Sequence, residues 1–133
     1  MTRLDGADEF LQDAQVCLNH GRFRSAASRD YYAVFHAAIA LFEHYGLRPA
    51  NFIGRNGWPA TRWEHGLITK YFHLEFVVRR GFFDWPTGVA VRRLYRTRIE
   101  ADYKLTMPLS EALARDSLED AKRVVEAIRR RLV

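Results

Sequence analysis

Two groups of side chains in this 133-residue chain have the types and spacing to bind a phosphate and move a proton. The first is Arg29, Tyr32 and His36, which fall one turn apart on one face of a helix. The second is the run Leu94-Tyr95-Arg96-Thr97-Arg98-Ile99-Glu100-Ala101-Asp102-Tyr103, in which Arg98 shares a helical face with Asp102, and Ile99 with Tyr103. Arg92, Arg93 and Arg96 add positive charge close by. Arginine grips phosphate through two parallel N–H bonds, and histidine exchanges protons near neutral pH. The plain alternative for Arg98 and Asp102 is a helical salt bridge, with Tyr103 as a capping aromatic.

Other chemistries find no footing. The sequence has no glycine-rich phosphate loop, no cysteine pair for zinc and no Gly-x-Ser-x-Gly elbow. His36 and His44 are eight residues apart, as are His65 and His73; two helical turns are too far for one metal ion, and His20 stands alone. The expectation is no metal and no cofactor.

Helices must position these groups. From Arg24 nothing breaks the pattern before Gly46 and Pro49, so one long helix is predicted. Its apolar stripe is Ala27, Tyr31, Val34, Ala38, Leu41 and Tyr45. A second stripe lies nearly opposite: Ser25, Arg29, Tyr32, His36, Ile39 and Glu43. Small alanines between them allow close approach of neighbours, so the helix reads as central, buried on one side with a half-buried polar seam on the other. A first helix runs from about Asp5 to His20, with Asp5 and Asp8 as its N-terminal box and Gly21 as its stop. Its buried stripe is Ala7, Phe10, Leu11, Ala14, Cys17 and Leu18. Gly46 to Ala60 reads as a loop that folds Phe52, Ile53 and Trp58 back onto the bundle. Thr61 and Glu64 then suggest a capping box for a third helix ending at Arg79-Arg80-Gly81, followed by a turn from Phe82 to Gly88. A fourth helix ends near Tyr103, and a fifth starts at Ser110 with Ala114, Leu118, Ala121, Val125, Ile128 and Leu132 on its buried face. The expected fold is an all-α antiparallel bundle of four main helices plus a shorter or split fifth, with residues 1–133 forming a single domain.

Composition agrees with an anionic partner. The chain carries 21 basic and 16 acidic residues, and all the basic residues are Arg except Lys70, Lys104 and Lys122. This bias suits nucleic acid, or equally the codon usage of a GC-rich genome. The single Cys17 cannot form an internal disulfide, and neither a membrane-length apolar run nor a leader pattern is present, so a cytoplasmic location is expected.

The stretch Arg22-Phe23-Arg24-Ser25-Ala26-Ala27-Ser28-Arg29-Asp30-Tyr31-Tyr32-Ala33-Val34-Phe35-His36-Ala37-Ala38, then His65-Gly66, then Arg98-x-x-Ala101-Asp102-Tyr103, resembles the HEPN domain family, in particular its small stand-alone prokaryotic branch. The likeness runs from the first helix to the last, although the loop from Asn51 to Ala60 is longer than usual for that branch. It implies a four-to-five-helix bundle that commonly dimerises. Many members are metal-independent ribonucleases of toxin–antitoxin, phage-defence or CRISPR-linked systems, often encoded beside a nucleotidyltransferase antitoxin.

The family's catalytic signature is Arg, four to six residues, then His, on the helix that corresponds to the fourth one here. This chain departs from it: Tyr103 occupies a permitted His position after Arg98, and no histidine follows Arg96 or Arg98. Arg29 and His36 satisfy the spacing on a different helix. The resemblance implies a homodimeric RNA endonuclease or toxin-like effector with RNA in a basic cleft across the dimer axis. Arg98 and Arg96 would bind the scissile phosphate, and Asp102 and Tyr103 would act in or beside the proton transfers. Arg29, Tyr32, His36, Arg92 and Arg93 would contact RNA. It equally accommodates a non-catalytic module that binds RNA, a nucleotide or a nucleotidyltransferase. In some relatives a tyrosine beside the motif is silenced by a transferred nucleotide, and Tyr103 stands at that place.

Overall fold

Thr2 opens the first helix, α1 (Arg3–Asn19), with a reciprocal cap. Its hydroxyl accepts the Asp5 N–H at 3.1 Å, and the Asp5 carboxylate accepts the Thr2 N–H at 2.9 Å. The helix therefore starts a turn earlier than the Asp5–Asp8 pairing suggested. Asp8 reaches instead across to Arg129 of the last helix. Gly21, at φ +73°, turns the chain into α2 (Phe23–His44), and Gly46 at φ +75° ends that helix. The computed structural model describes residues 1–106 and 108–132.

α2 is the axis of the molecule and touches α1, α3, α4 and α5. Ala26, Ala27, Ala33, Ala37 and Ala38 are all fully buried, so neighbouring helices approach its backbone closely. The apolar stripe from Ala27 to Leu41 is buried as expected, while Ser25, Arg29, Tyr32, His36 and Glu43 are half-buried. α1 covers part of this polar seam: Phe10 stacks on Tyr32 at 5.8 Å and on His36 at 5.5 Å.

The segment after α2 makes a short 3-10 turn, Pro49–Asn51, and then doubles back on itself. Ala60 N–H bonds Phe52 C=O at 2.9 Å and Gly54 N–H bonds Trp58 C=O at 2.7 Å, around Gly57 at φ +84°. Neighbouring side chains on such an extended strip alternate in direction. Phe52 consequently packs inward, against Tyr71 at 4.6 Å and Phe42 at 5.4 Å. Ile53 and Trp58, expected in the core, are 53% and 72% exposed. Trp63 fills the inner position instead, 5.2 Å from Phe42.

α3 (His65–Phe72) follows Glu64, which makes no side-chain cap; its carboxylate accepts the Arg55 N–H at 3.1 Å, so the expected Thr61–Glu64 box does not form. The helix continues in wider π turns over His73–Arg79 and stops at Gly81, φ +65°. The buried Glu75 carboxylate accepts from both Arg79 and Arg80 at 2.8 Å. Asp84 then caps α4 (Trp85–Tyr103) through the Thr87 N–H at 3.0 Å, so Gly88 lies inside the helix rather than in the preceding turn. A glycine is required there, because a Cβ would run into the His73 ring of the π segment.

Ser110 caps α5 (Glu111–Leu132) by accepting the Leu113 N–H at 3.1 Å. Ala114, Leu118, Ala121, Val125 and Ile128 of α5 are buried against the other helices. Among the described residues the outcome is an all-α bundle of four long helices with a shorter, split fifth. Among the described residues, no helix is long and apolar enough to cross a membrane.

Candidate active site

The site is built where the end of α4 meets the start of α2. Arg24, in the first turn of α2, donates to the carbonyls of Glu100 at 3.2 Å, Ala101 at 3.0 Å and Lys104 at 3.0 Å. A cation at a helix C-terminus satisfies the last free carbonyls and the negative end of the helix dipole. Through this clamp the Arg98–Tyr103 segment is held in place against α2.

Arg98 lies beneath the clamp, only 8% exposed. Its Nη2 donates to the Tyr32 hydroxyl at 3.1 Å, and Nε stands 2.9 Å from the Asp102 carboxylate. The Asp102 contact is an ion pair and not an aligned hydrogen bond, so the buried Nε–H lacks a properly directed acceptor. The guanidinium also sits 5.6 Å from the Tyr32 ring, 5.7 Å from Tyr103 and 5.9 Å from Tyr31. Burial opposes its charge, but the Tyr32 hydroxyl and Asp102 more than offset that, so its pKa moves upward and it stays a cation. Ser28 Oγ donates to Asp102 at 3.5 Å, steadying the carboxylate from α2.

An open cleft of about 940 Å³ runs from Arg98 between the 53–64 segment, α3 and α4. Four cations line it: Arg55, Arg62, Lys70 and Arg98. The rings of Trp63, Tyr71, Tyr95 and Tyr103 line it too, and Tyr103 is 68% exposed. Glu64 is the one acid among the lining residues. Cations beside one exposed ring, Tyr103, and three half-buried ones are chemistry that suits a single nucleic-acid strand: charge for its phosphates and flat faces for its bases.

The histidines separate clearly. His36 turns toward α1, where Arg3 donates to its Nδ1 at 3.4 Å and also pairs with Glu43 at 3.0 Å. Burial first, and the Arg3 charge second, lower its pKa. His73 is buried against Trp85, with ring centroids 4.5 Å apart. His65 lines the cleft together with Arg98. Its Nδ1 is hydrogen-bonded to the Tyr31 hydroxyl at 3.1 Å, and its ring lies 4.4 Å from Phe35. Burial, then Arg98, then His36 lower its pKa.

The structure thus brings together Arg98, Asp102, Tyr103 and Tyr32 from the residues singled out in the sequence. Arg96 is exposed and sits about 200° round α4 from Arg98, since each residue advances a helix by roughly 100°. It shares the outer face of α4 with Arg92, also exposed. Arg93 is engaged elsewhere, paired with Asp120 of α5 at 2.7 Å. Arg29 donates to the Ser25 carbonyl of its own helix at 3.4 Å, and neither it nor His36 lines the cleft. His65, Arg24, Arg55, Arg62 and Lys70 belong to the site or its support without carrying a site signal of their own in the sequence. The signal that could have found His65 is its adjacency to Gly66 in the family-like pattern; Arg55 and Arg62 flank the long loop that departs from it.

Comparison with known proteins places the chain further. A family model described as the HEPN domain matches residues 2–52, which comprise α1, α2 and the turn after them. Over 126 residues the chain is 29% identical to the protein named "Putative toxin MJ0605" of Methanocaldococcus jannaschii, a match covering 95% of this chain and 83% of that protein. That alignment is long enough to include the Arg98 segment. A UPF0332 protein of Pyrococcus horikoshii is 32% identical over 100 residues, 75% of this chain and 57% of its own length. A UPF0332 protein of Thermotoga maritima is 28% identical over 122 residues, covering 92% and 82% respectively.

Proposed function

We propose that the chain is a HEPN-type protein, a metal-independent RNA endonuclease acting as a toxin-like effector, a reading that the HEPN-domain match and the likeness to a protein named a putative toxin support. The observation that carries this reading is the cleft: a buried guanidinium with an undirected Nε–H at one end, and cations interleaved with rings along its length. RNA cleavage without a metal needs a base for the 2′-hydroxyl and fixed positive charge for the phosphorane. Arg98 supplies the charge at the scissile phosphate, and Asp102 aims it. Tyr103 lies at the cleft mouth, where its ring stacks on a base and its hydroxyl reaches the departing oxygen. Arg55, Arg62 and Lys70 hold the flanking phosphates, while Arg92 and Arg96 meet RNA only at the outer rim of α4. Glu64 is held by the Arg55 backbone and Asp102 by Arg98, so charge neutralisation falls to arginine.

The whole of 1–133 works as one domain in this reading, and two copies pair so that their Arg98–Tyr103 segments face one groove. The polar seam of α2 is partly covered by α1, so the dimer contact falls beyond the end of α4, where Leu105 protrudes. Light scattering at micromolar concentration is expected to give twice the monomer mass; a single-chain mass would remove the shared groove. A neighbouring nucleotidyltransferase or defence operon would supply the antitoxin or companion effector.

One observation favours a second reading. No histidine follows Arg98 at the family's spacing, which suits a non-catalytic module that holds RNA, a nucleotide or a partner protein. The two are separated by incubating the purified protein with single-stranded RNA in excess EDTA. The nuclease reading predicts discrete fragments; retention of intact RNA on the protein, at any enzyme concentration, selects the binding module.

A further inference from the structure

We infer that His65 is the general base of RNA cleavage, taking the 2′-hydroxyl proton in the Arg98 cleft and replacing the histidine absent from α4. The inference rests on the nuclease reading and adds to it the residue that does the proton chemistry.

Position comes first. His65 is the first residue of α3 and lines the same cleft as Arg98. The imidazole and the guanidinium flank the same two rings. His65 lies 5.4 Å from Tyr31 and 5.7 Å from Tyr32, and Arg98 lies 5.9 Å and 5.6 Å from the same pair. A phosphodiester seated on Arg98 therefore has His65 as its nearest cleft-lining imidazole. His36 is taken up by Arg3 and Phe10, and His73 is buried beneath Trp85.

Orientation comes second. The Tyr31 hydroxyl donates to the His65 carbonyl at 3.5 Å and its oxygen accepts from Nδ1–H, while Phe35 packs on the ring; together these fix the imidazole plane and leave the Nε2 lone pair for substrate. Tyr31 is fully buried and burial drives its phenol pKa far up, so it stays protonated and acts as a positioning residue. A base aligned by a third group is the arrangement that nucleophile activation repeatedly uses.

Charge state comes third. The groups facing His65 are Tyr31, Tyr32 and His36 from α2, Tyr95 and Arg98 from α4, and Lys70 on its own helix. Glu64 precedes it, but its carboxylate is committed to the Arg55 N–H. The positive end of the α3 dipole also disfavours a charged ring. His65 is thus neutral at pH 7, the form a base needs.

The step balances without a co-reactant. Nε2 takes the 2′-hydroxyl proton, the 2′-oxygen bonds to phosphorus, and the P–O5′ bond breaks. The departing O5′ takes a proton from water through the Tyr103 hydroxyl, and the imidazolium returns its proton to water. A 2′,3′-cyclic phosphate and a 5′-hydroxyl result.

The test uses His65→Asn, whose amide can keep the Tyr31 bond, and His65→Ala with added imidazole. Removing a general base costs roughly a hundredfold or more in rate. His65→Asn should therefore cut at no more than a hundredth of the wild-type rate, bind RNA within about threefold of wild type, and lose the acid limb of the pH–rate profile. Free imidazole should restore part of the His65→Ala activity. Near wild-type cutting by His65→Asn would overturn the inference. So would a slow His65→Ala that imidazole does not rescue. A wild-type protein that never cuts RNA would overturn the nuclease reading itself, and this inference with it.

Discussion

Arg98→Ala is expected to slow RNA cleavage by about a hundred- to a thousandfold, the usual loss when one preorganised donor to a charged transition state is removed. The guanidinium is held at the floor of the cleft by α2 and α4 together, through Tyr32 and Asp102. Arg55, Arg62 and Lys70 line the cleft from the loop and α3. The substitution also removes contacts with three rings, for a stability cost of about 1–3 kcal/mol. Asp102, about a third exposed, can turn to water. Single-turnover cleavage followed beside helical circular dichroism checks this. Arg98→Lys serves as the control for folding: it keeps the charge but loses the fork, and should also be slow. Wild-type rates in either variant would place the chemistry elsewhere.

Asp30→Asn should make the protein more stable at pH 8, by about 2–4 kcal/mol, and leave it unchanged near pH 4. Asp30 is completely buried on α2, and among the described residues neither of its oxygens finds a hydrogen-bond partner. Burial pushes its carboxyl up to about 7, against Ser117 and Lys122, which favour the charged form. A carboxyl whose folded pKa is raised holds its proton longer in the native state than in the unfolded chain. Its penalty is absent below the unfolded value of about 4, grows as pH climbs, and is complete above 7. Wild-type stability should therefore fall between pH 4 and 7 at this site, and the asparagine variant should flatten that slope. Urea midpoints across the range measure it. A less stable Asp30→Asn at pH 8 would mean that the charge is needed, paired with Lys122.

The frame of the bundle was legible because periodicity survives without tertiary detail. The alternating steps from Ala27 to Tyr45 announce a helix, and the alanines between the two stripes announce that both sides are covered. Gly21, Gly46 and Gly81 mark turns that need positive φ. Local signals misled where two residues could play the same part. Asp5 suits an N-cap as well as the N3 position it actually occupies, and the apolar Ile53 and Trp58 lie on the outward side of a doubled-back strip whose register no periodicity reveals.

The site was half legible. Arg98, Asp102 and Tyr103 lie on one helix, so their grouping follows from spacing alone. Arg96 and Arg98 read as one charge cluster along the chain, but helical geometry sends them to different faces. His65 lies 34 residues from Tyr31, and only the packing of α3 on α2 brings the two together. Arg24 likewise reaches carbonyls 76 to 80 residues away, a contact that no local pattern encodes.

In the proposed reaction this cleft cuts RNA by attack of the 2′-oxygen, with arginine carrying the charge. Mass spectrometry of the fragment ends, after incubation of the wild-type protein with single-stranded RNA in excess EDTA, tests it most directly. The fragments should end in a 2′,3′-cyclic phosphate and begin with a 5′-hydroxyl. Intact RNA, or fragments that begin with a 5′-phosphate, would contradict it.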